Sequence, residues 1–184
     1  MKSFIYLSFA ILFVFTSSIP VLAVPTEAGS EFLCSVVSEI PQIECEALVA
    51  LYNSTGGDGW SNHANWLVTN TPSNWYGLTV TGSHVTGIAL FYNHLIGTLP
   101  RELGNFTNLT NLNLSGNQLS GSIPLELMNL TDLTSLFLLG NYLTGGIPPG
   151  VGNLTSLVDL NLSYNQLTGI IPPELGNLSI MEDL

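Results

Sequence analysis

The feature that most constrains this chain is an internal period of 24 residues. One copy, from Leu109 to Asn129, reads LTNLNLSGNQLSGSIPLELMN, and the same residue types recur in four copies. The first apolar position of the copies holds Val85, Leu109, Leu133 and Leu157. A fixed period with fixed chemistry predicts a solenoid, because one unit can bury its apolar side only against its neighbours.

Further columns of like residues run through the four copies. The next two apolar columns are Ile88, Leu112, Leu136 and Leu160, then Leu90, Leu114, Leu138 and Leu162. An asparagine column follows, made of Asn93, Asn117, Asn141 and Asn165. We interpret these asparagines as structural, because buried amides must be paired and can satisfy backbone groups where the chain bends.

The N-terminus has the pattern of a secretory signal. Lys2 precedes an apolar run over 4–15, and Pro20 precedes a small-residue cleavage site ending at Ala23. An uncleaved membrane anchor is the alternative, but the apolar core is shorter than the ~20 residues that a bilayer needs, and no other segment could span one. The predicted organisation is a signal peptide (1–23), an N-terminal cap (24–84), four repeats (85–180) and the start of an incomplete fifth repeat (181–184).

Charge and motif content exclude several classes of function. Signal cleavage would leave Arg101 as the only lysine or arginine against 13 acidic residues, which disfavours nucleic acid as a partner. None of the three histidines has a catalytic spacing to a serine, cysteine or carboxylate, so we expect no enzyme activity and no cofactor. Asp58 lies between glycines but lacks the alternating oxygen ligands of a calcium loop, so we expect no metal.

The segment before the repeats is predicted to form two helices, from about Ser30 to Ile40 and from about Gln42 to Tyr52. Each would carry one cysteine, Cys34 or Cys45. In an exported chain a disulfide between them is favoured over two free thiols.

All three tryptophans, Trp60, Trp66 and Trp75, lie just ahead of the first repeat. One interpretation is an aromatic platform that binds sugar. The other, which we favour, is a cap, because the exposed apolar end of a solenoid must be covered and large rings cover it well.

The repeat resembles the plant-type leucine-rich repeat, L-x-x-L-x-L-x-x-N-x-L-x-G-x-I-P-x-x-L-G. The preceding segment resembles that family's N-terminal cap through Asp58-Gly59-Trp60, Asn65-Trp66 and Trp75-Tyr76-Gly77-Leu78-Thr79. The resemblance covers roughly residues 42 to 180. It implies an α/β solenoid, a right-handed coil with a parallel concave sheet and a helical N-terminal cap. Where the family usually has a cysteine pair, this chain has Ser73 and Val80.

The resemblance also implies a secreted or cell-surface recognition module that binds an extracellular protein, peptide or glycan on its concave face. The alternatives are an adhesion or ice-binding array, suggested by recurring threonines such as Thr86, Thr110 and Thr134, and an inhibitor of a secreted cell-wall hydrolase. The candidate ligand-binding residues are Phe91, Tyr92, Asn113, Phe137, Leu139, Asp159, Asn161 and Tyr164. Packing between neighbouring strands is the structural alternative for the aromatic ones.

Two further features bear on partners. Eight Asn-x-Ser/Thr sequons occur, and a glycan at Asn113 or Asn161 would block the proposed face. Met181 and Leu184 occupy the first two apolar positions of a further repeat. Without a polar cap the last repeat is expected to expose its apolar end, which could associate end to end with another copy.

Overall fold

A computed structural model describes residues 32–181. The predicted signal peptide and residues 182–184 lie outside this range, as do the first two residues of the first predicted helix. Within it, the predicted α/β solenoid with a parallel sheet and a helical N-terminal cap is confirmed.

The first predicted helix is wrong over its described part. Only a single 3-10 turn forms, at Cys34–Val36, and Val37 is extended. Cys34 and Cys45 are joined by a disulfide with a Cα–Cα distance of 5.6 Å, which ties this segment to the following helix. Leu33 and Val36, two of the apolar residues whose spacing predicts a helix, are exposed. A segment this short gains little from helix formation, so its tertiary contacts decide its conformation.

The second predicted helix is present as α1, Gln42–Ser54. It begins directly after Pro41, and a proline is well tolerated at a helix start. Ala47, Leu48 and Leu51 are fully buried and join the core of the repeats. The helix thereby covers one end of the coil.

The repeats, with one strand of the cap, build two sheets. The strands are β1 Leu78–Thr81, β2 His84–Ala89, β3 Ile96–Thr98, β4 Asn111–Asn113, β5 Gln118–Ser122, β6 Ser135–Phe137, β7 Tyr142–Thr144 and β8 Asp159–Asn161. The larger sheet has the strand order β1-β2-β4-β6-β8, in which β1 pairs with β2 antiparallel and the remaining pairs are parallel. The smaller sheet is parallel, with the order β3-β5-β7.

Each repeat closes with a 3-10 helix directly after its proline. The four helices are Arg101–Asn105, Leu125–Asn129, Pro149–Asn153 and Pro173–Asn177. The leucine columns fill the space between these helices and the two sheets. Stacking of repeats therefore gives one continuous core, which holds the large sheet in a fixed register.

The three tryptophans are buried in the cap. Trp66 packs against Trp60 and Trp75, with ring centroids 4.9 and 5.1 Å apart. Their indole N–H groups donate to the carbonyl oxygens of Thr55, Tyr76 and Thr69 at 2.9 to 3.0 Å. The interpretation as a sugar-binding platform is wrong, because no indole face is open to solvent.

Candidate functional site

We call the outward-facing side of β2, β4, β6 and β8, with the turn after each strand, the sheet face. Strand register aligns its residues in rows of four. Along the strands the rows are Gly87, Asn111, Ser135 and Asp159, then Ala89, Asn113, Phe137 and Asn161. Ile88, Leu112, Leu136 and Leu160 alternate with these rows and are buried. The packed core therefore fixes the backbone positions from which the outward side chains project.

All eight candidate ligand-binding residues lie on the strands or following turns of the sheet face. Phe91, Tyr92 and Tyr164 are 48, 73 and 84% exposed. The other five are half-buried, and they are Asn113, Phe137, Leu139, Asp159 and Asn161. The structure therefore brings the predicted residues to one surface.

Two of the tyrosines occupy an unusual backbone conformation. Tyr92 and Tyr164 have φ values of 50° and 53°, in a row whose two middle members, Gly116 and Gly140, also have positive φ. The ring of Tyr92 lies over Gly116, where it fills the space that a Cβ atom would need. Packing against the neighbouring coil therefore explains the position of the Tyr92 ring. Tyr164 is the more exposed of the two and is the better candidate for contact with a ligand.

Local hydrogen bonds orient the polar residues of the sheet face. The Oδ1 atoms of Asn113 and Asn161 accept backbone N–H groups of Ser115 and Ser163, each at 3.1 Å. The hydroxyl of Ser135 donates to Oδ2 of Asp159 at 3.0 Å. These side chains are therefore set in position before any ligand arrives.

The asparagine column lies behind the sheet face and is engaged with backbone. Asn117 is buried. Its Oδ1 accepts the N–H groups of Asn93 and Leu95, and its Nδ2 donates to the carbonyls of Leu90 and Leu114, at 2.9 to 3.1 Å. Asn141 and Asn165 make the same kind of bridge between adjacent coils. Asn93, at the start of the column, binds both backbone groups of Asn62 in the cap.

Sequence reasoning missed a buried carboxylate between the cap and the first repeat. Glu44 on α1 is 2% exposed. Its Oε1 contacts Nδ1 of His84 at 2.7 Å, and its Oε2 accepts the N–H of Val85 at 2.8 Å. Glu44 and His84 are 40 residues apart, so no motif spacing could have revealed the pair. The contact docks α1 onto β2.

A second histidine also has a side-chain partner. Nδ1 of His94 lies 2.5 Å from the hydroxyl oxygen of Ser61, and both residues are exposed. Ser61 also donates its backbone N–H to the carbonyl of Asn93. The pair therefore lies where the cap loop joins the first repeat.

Residues 32–181 contain no cluster of three or more His, Cys, Asp or Glu side chains that could hold a metal ion. Over the same range, no helix is long and apolar enough to cross a membrane.

Comparison with known proteins identifies the family. The model for the Leucine Rich Repeat family matches residues 108–130, 132–154 and 156–178. No curated protein matches the chain in sequence. The BIR2 ectodomain from Arabidopsis thaliana is 32% identical, with a TM-score of 0.71 over 79% of this chain and 79% of that one. The chain belongs to the plant-type leucine-rich repeat family.

Two other solved structures show the range of proteins built on this fold. A chain of the BIR3–SERK2 complex from Arabidopsis thaliana is 32% identical, with a TM-score of 0.64 over 75% of this chain and 77% of that one. A plant ice-binding protein is 26% identical, with a TM-score of 0.72, covering 80% of this chain and 48% of that one.

Proposed function

We propose that this protein is an extracellular or cell-surface recognition module that binds a protein or peptide on its sheet face. The observation that carries the proposal is the joint exposure of Phe91 and Tyr164 beside pre-oriented amides on a rigid parallel sheet. Exposed aromatic residues next to small polar ones are typical of binding hot spots. The occurrence of a relative in the BIR3–SERK2 complex supports a protein as the partner. Inhibition of a secreted hydrolase would be one form of such binding, and a glycan is an alternative ligand.

Capture of extracellular plant proteins by the purified protein tests this proposal. We expect a captured partner to be lost from a Phe137→Ala/Tyr164→Ala variant. Tyr142→Ala is the matched control, because Tyr142 is 53% exposed but lies on the three-stranded sheet.

The melting temperatures of all variants should be compared before the result is interpreted. Equal capture by the double variant and the wild-type protein would reject the sheet face as the binding surface. Equal loss of capture by Tyr142→Ala would also reject the sheet face as the binding surface.

Export is the second part of the proposal. The Cys34–Cys45 disulfide supports it, because such bonds persist in oxidising compartments. Expression in a eukaryotic secretory host should give a protein in the medium whose N-terminus is Val24. A protein retained in the cell with Met1 intact would contradict it.

Glycosylation at three of the eight sequons would be compatible with binding. Asn129, Asn153 and Asn177 are exposed at the ends of 3-10 helices, away from the sheet face. Glycans on these residues would leave the sheet face open. Peptide mapping of the secreted protein identifies the occupied sites.

Ice binding is a second candidate, favoured by the similarity to a plant ice-binding protein. Thr110 and Thr134 form a regular column with Thr86. Their hydroxyls donate to the carbonyls of Thr86 and Thr110 at 2.9 and 2.8 Å. These bonds use the hydroxyl hydrogens within the column, so only the oxygen lone pairs remain for ice. A thermal hysteresis measurement decides: no effect on ice growth removes this candidate.

A further inference from the structure

We propose that Asp159 and Phe137 form a subsite on the sheet face for an arginine side chain of the partner. The inference deepens the proposed function and rests on it, because it names the chemistry that the sheet face recognises. The partner is accordingly a protein or peptide that presents an exposed arginine.

The charge distribution favours a cation at this place. Asp159 is the one carboxylate among the described residues of the sheet face. Arg101, the one lysine or arginine within residues 32–181, lies on a 3-10 helix and contacts Glu102 at 3.2 Å. The whole chain carries a formal charge of −11. A cationic partner is therefore attracted at long range and meets no competing lysine or arginine from residues 32–181 at Asp159.

The carboxylate is held in a defined orientation. The hydroxyl of Ser135 donates to Oδ2 of Asp159 at 3.0 Å from the neighbouring strand. A carboxylate can accept several hydrogen bonds, so Oδ1 and the second lone pair of Oδ2 stay open to a partner. Asp159 is half-buried, which reduces solvent screening of a contact made there.

An aromatic residue lies diagonally across from Asp159 on the neighbouring strand. Phe137 pairs with Asn161, and Ser135 pairs with Asp159, so Phe137 is one strand over and two residues along from Asp159. Standard strand spacing and rise place their Cα atoms about 8 Å apart. One guanidinium can span this distance, with its edge on the carboxylate and its face on the ring. The half-buried Asn161 borders the same position.

The combination selects arginine over other side chains. A carboxylate alone would accept lysine equally well, but only a planar guanidinium can give two parallel hydrogen bonds and stack on a ring. Citrulline has nearly the same shape without the charge, so it separates the ionic contribution from shape. We therefore expect the affinity of the subsite to decrease in the order arginine, lysine, citrulline.

Titration of the isotopically labelled protein with N-acetyl-arginine-methylamide, followed by NMR, tests the subsite without a known partner. We expect saturable shifts of the Asp159 carboxyl carbon and the Phe137 ring. The lysine derivative should bind at least three-fold more weakly, and the citrulline derivative at least ten-fold more weakly. Asp159→Asn should weaken arginine binding at least ten-fold, and Phe137→Leu, which keeps the carboxylate, about three-fold.

Glu126→Gln is the control for the general field, because Glu126 is exposed on a 3-10 helix away from the sheet face. It should change arginine affinity less than two-fold. Equal loss in Glu126→Gln and Asp159→Asn, or unchanged affinity in Asp159→Asn with a native spectrum, overturns the subsite. Shifts of the Phe137 ring with cellohexaose and none with arginine would overturn it in favour of a glycan.

This experiment and the capture experiment distinguish failure of the subsite from failure of the proposed function. A partner captured through the sheet face, with no arginine binding at Asp159, leaves the proposed function standing and removes the subsite. A captured partner that still binds after Phe137→Ala/Tyr164→Ala removes the proposed function, whatever the NMR titration gives.

Discussion

At the scale of single residues, the asparagine column shows how a polar side chain can stabilise an apolar coil. The amides of Asn117, Asn141 and Asn165 replace water by backbone partners from two adjacent repeats, and Asn117 for example pairs with Asn93, Leu95, Leu90 and Leu114. A buried amide that satisfies both its oxygen and its nitrogen has no desolvation penalty left uncompensated. The column therefore serves folding and lies behind the sheet face.

Asn117→Ala should lower the free energy of unfolding by about 1 to 3 kcal/mol, because backbone groups of two coils would lose their partners. Asn165→Ala should cost less, since Asn165 is half-exposed and water can replace the lost bonds. Urea denaturation measures both changes. An equal cost for the two variants, or loss of partner binding by folded Asn117→Ala, would contradict the assignment.

Ionisation of the Tyr52 hydroxyl is expected to make the stability of the protein depend on pH in the alkaline range. Burial and a 2.8 Å hydrogen bond to Asp58 raise the pKa of Tyr52 from 10.0 to about 12. The folded state keeps this proton after the unfolded state has lost it, so the contribution is complete below pH 10 and is lost between pH 10 and about 12. Stability should fall by at most about 1.4 kcal/mol per pH unit in this window.

Urea midpoints measured between pH 8 and 11 test this expectation. Tyr52→Phe cannot ionise at this position, so its stability should decline less steeply than that of the wild type above pH 10. Parallel curves for the two proteins would show that Tyr52 does not control the alkaline transition.

At the scale of elements, sequence-equivalent positions differ in what packs against them. Gly97, in β3, has a φ of 132°, and a Cβ there would collide with the carbonyl oxygen of Ser54 at the end of α1. Gly169 holds the same place in the last repeat, has a φ of 88°, and has no atom within 4 Å of such a Cβ. The packing of α1 therefore leaves no room for a side chain at this position of the first repeat, whereas the last repeat has room there.

Gly97→Ala should destabilise the protein by roughly 3 kcal/mol or more, because it adds a backbone collision to the positive-φ strain. Gly169→Ala adds only the strain, about 1 to 2 kcal/mol. Thermal unfolding of the two variants measures the difference. Similar melting temperatures would mean that α1 moves aside without cost.

The 24-residue period also explains which elements could be predicted from the sequence. The strand positions and their register follow from the 24-residue period, because each coil meets a neighbour with the same columns. The disulfide-linked segment before α1 has no such neighbour. Its apolar spacing suggested a helix, but its contacts with α1 fix an extended chain with one 3-10 turn.

At the scale of the whole molecule, the two ends of the described coil differ. At the first end, α1 and the buried tryptophans cover the core, and β1 pairs with β2. At the other, β8 is an edge strand, and Ile170 and Ile171 are 82 and 69% exposed. An edge strand with apolar residues nearby favours association. The end-to-end association expected from the sequence stays a prediction.

Light scattering at increasing protein concentration tests this pairing. We expect dimers in the wild type and monomers in Ile170→Lys/Ile171→Lys, because a charge on each side chain would have to be desolvated on pairing. Leu125→Lys is the matched control, since Leu125 is 70% exposed on a 3-10 helix. A wild type that stays monomeric at high concentration contradicts the prediction.

The sequence by itself determined the coil, its family and the surface on which candidate binding residues lie. A repeat interacts mainly with copies of itself, so one period carries the information for strands, buried leucines and the asparagine column. The tertiary structure decided other contacts between unlike segments: the Glu44–His84 contact, the steric restriction at Gly97 and the single 3-10 turn at Cys34. It also showed that the ring of Tyr92, which is itself exposed, covers Gly116 of the next coil. These outcomes depend on contacts between non-equivalent residues far apart in the chain, and a period cannot encode them.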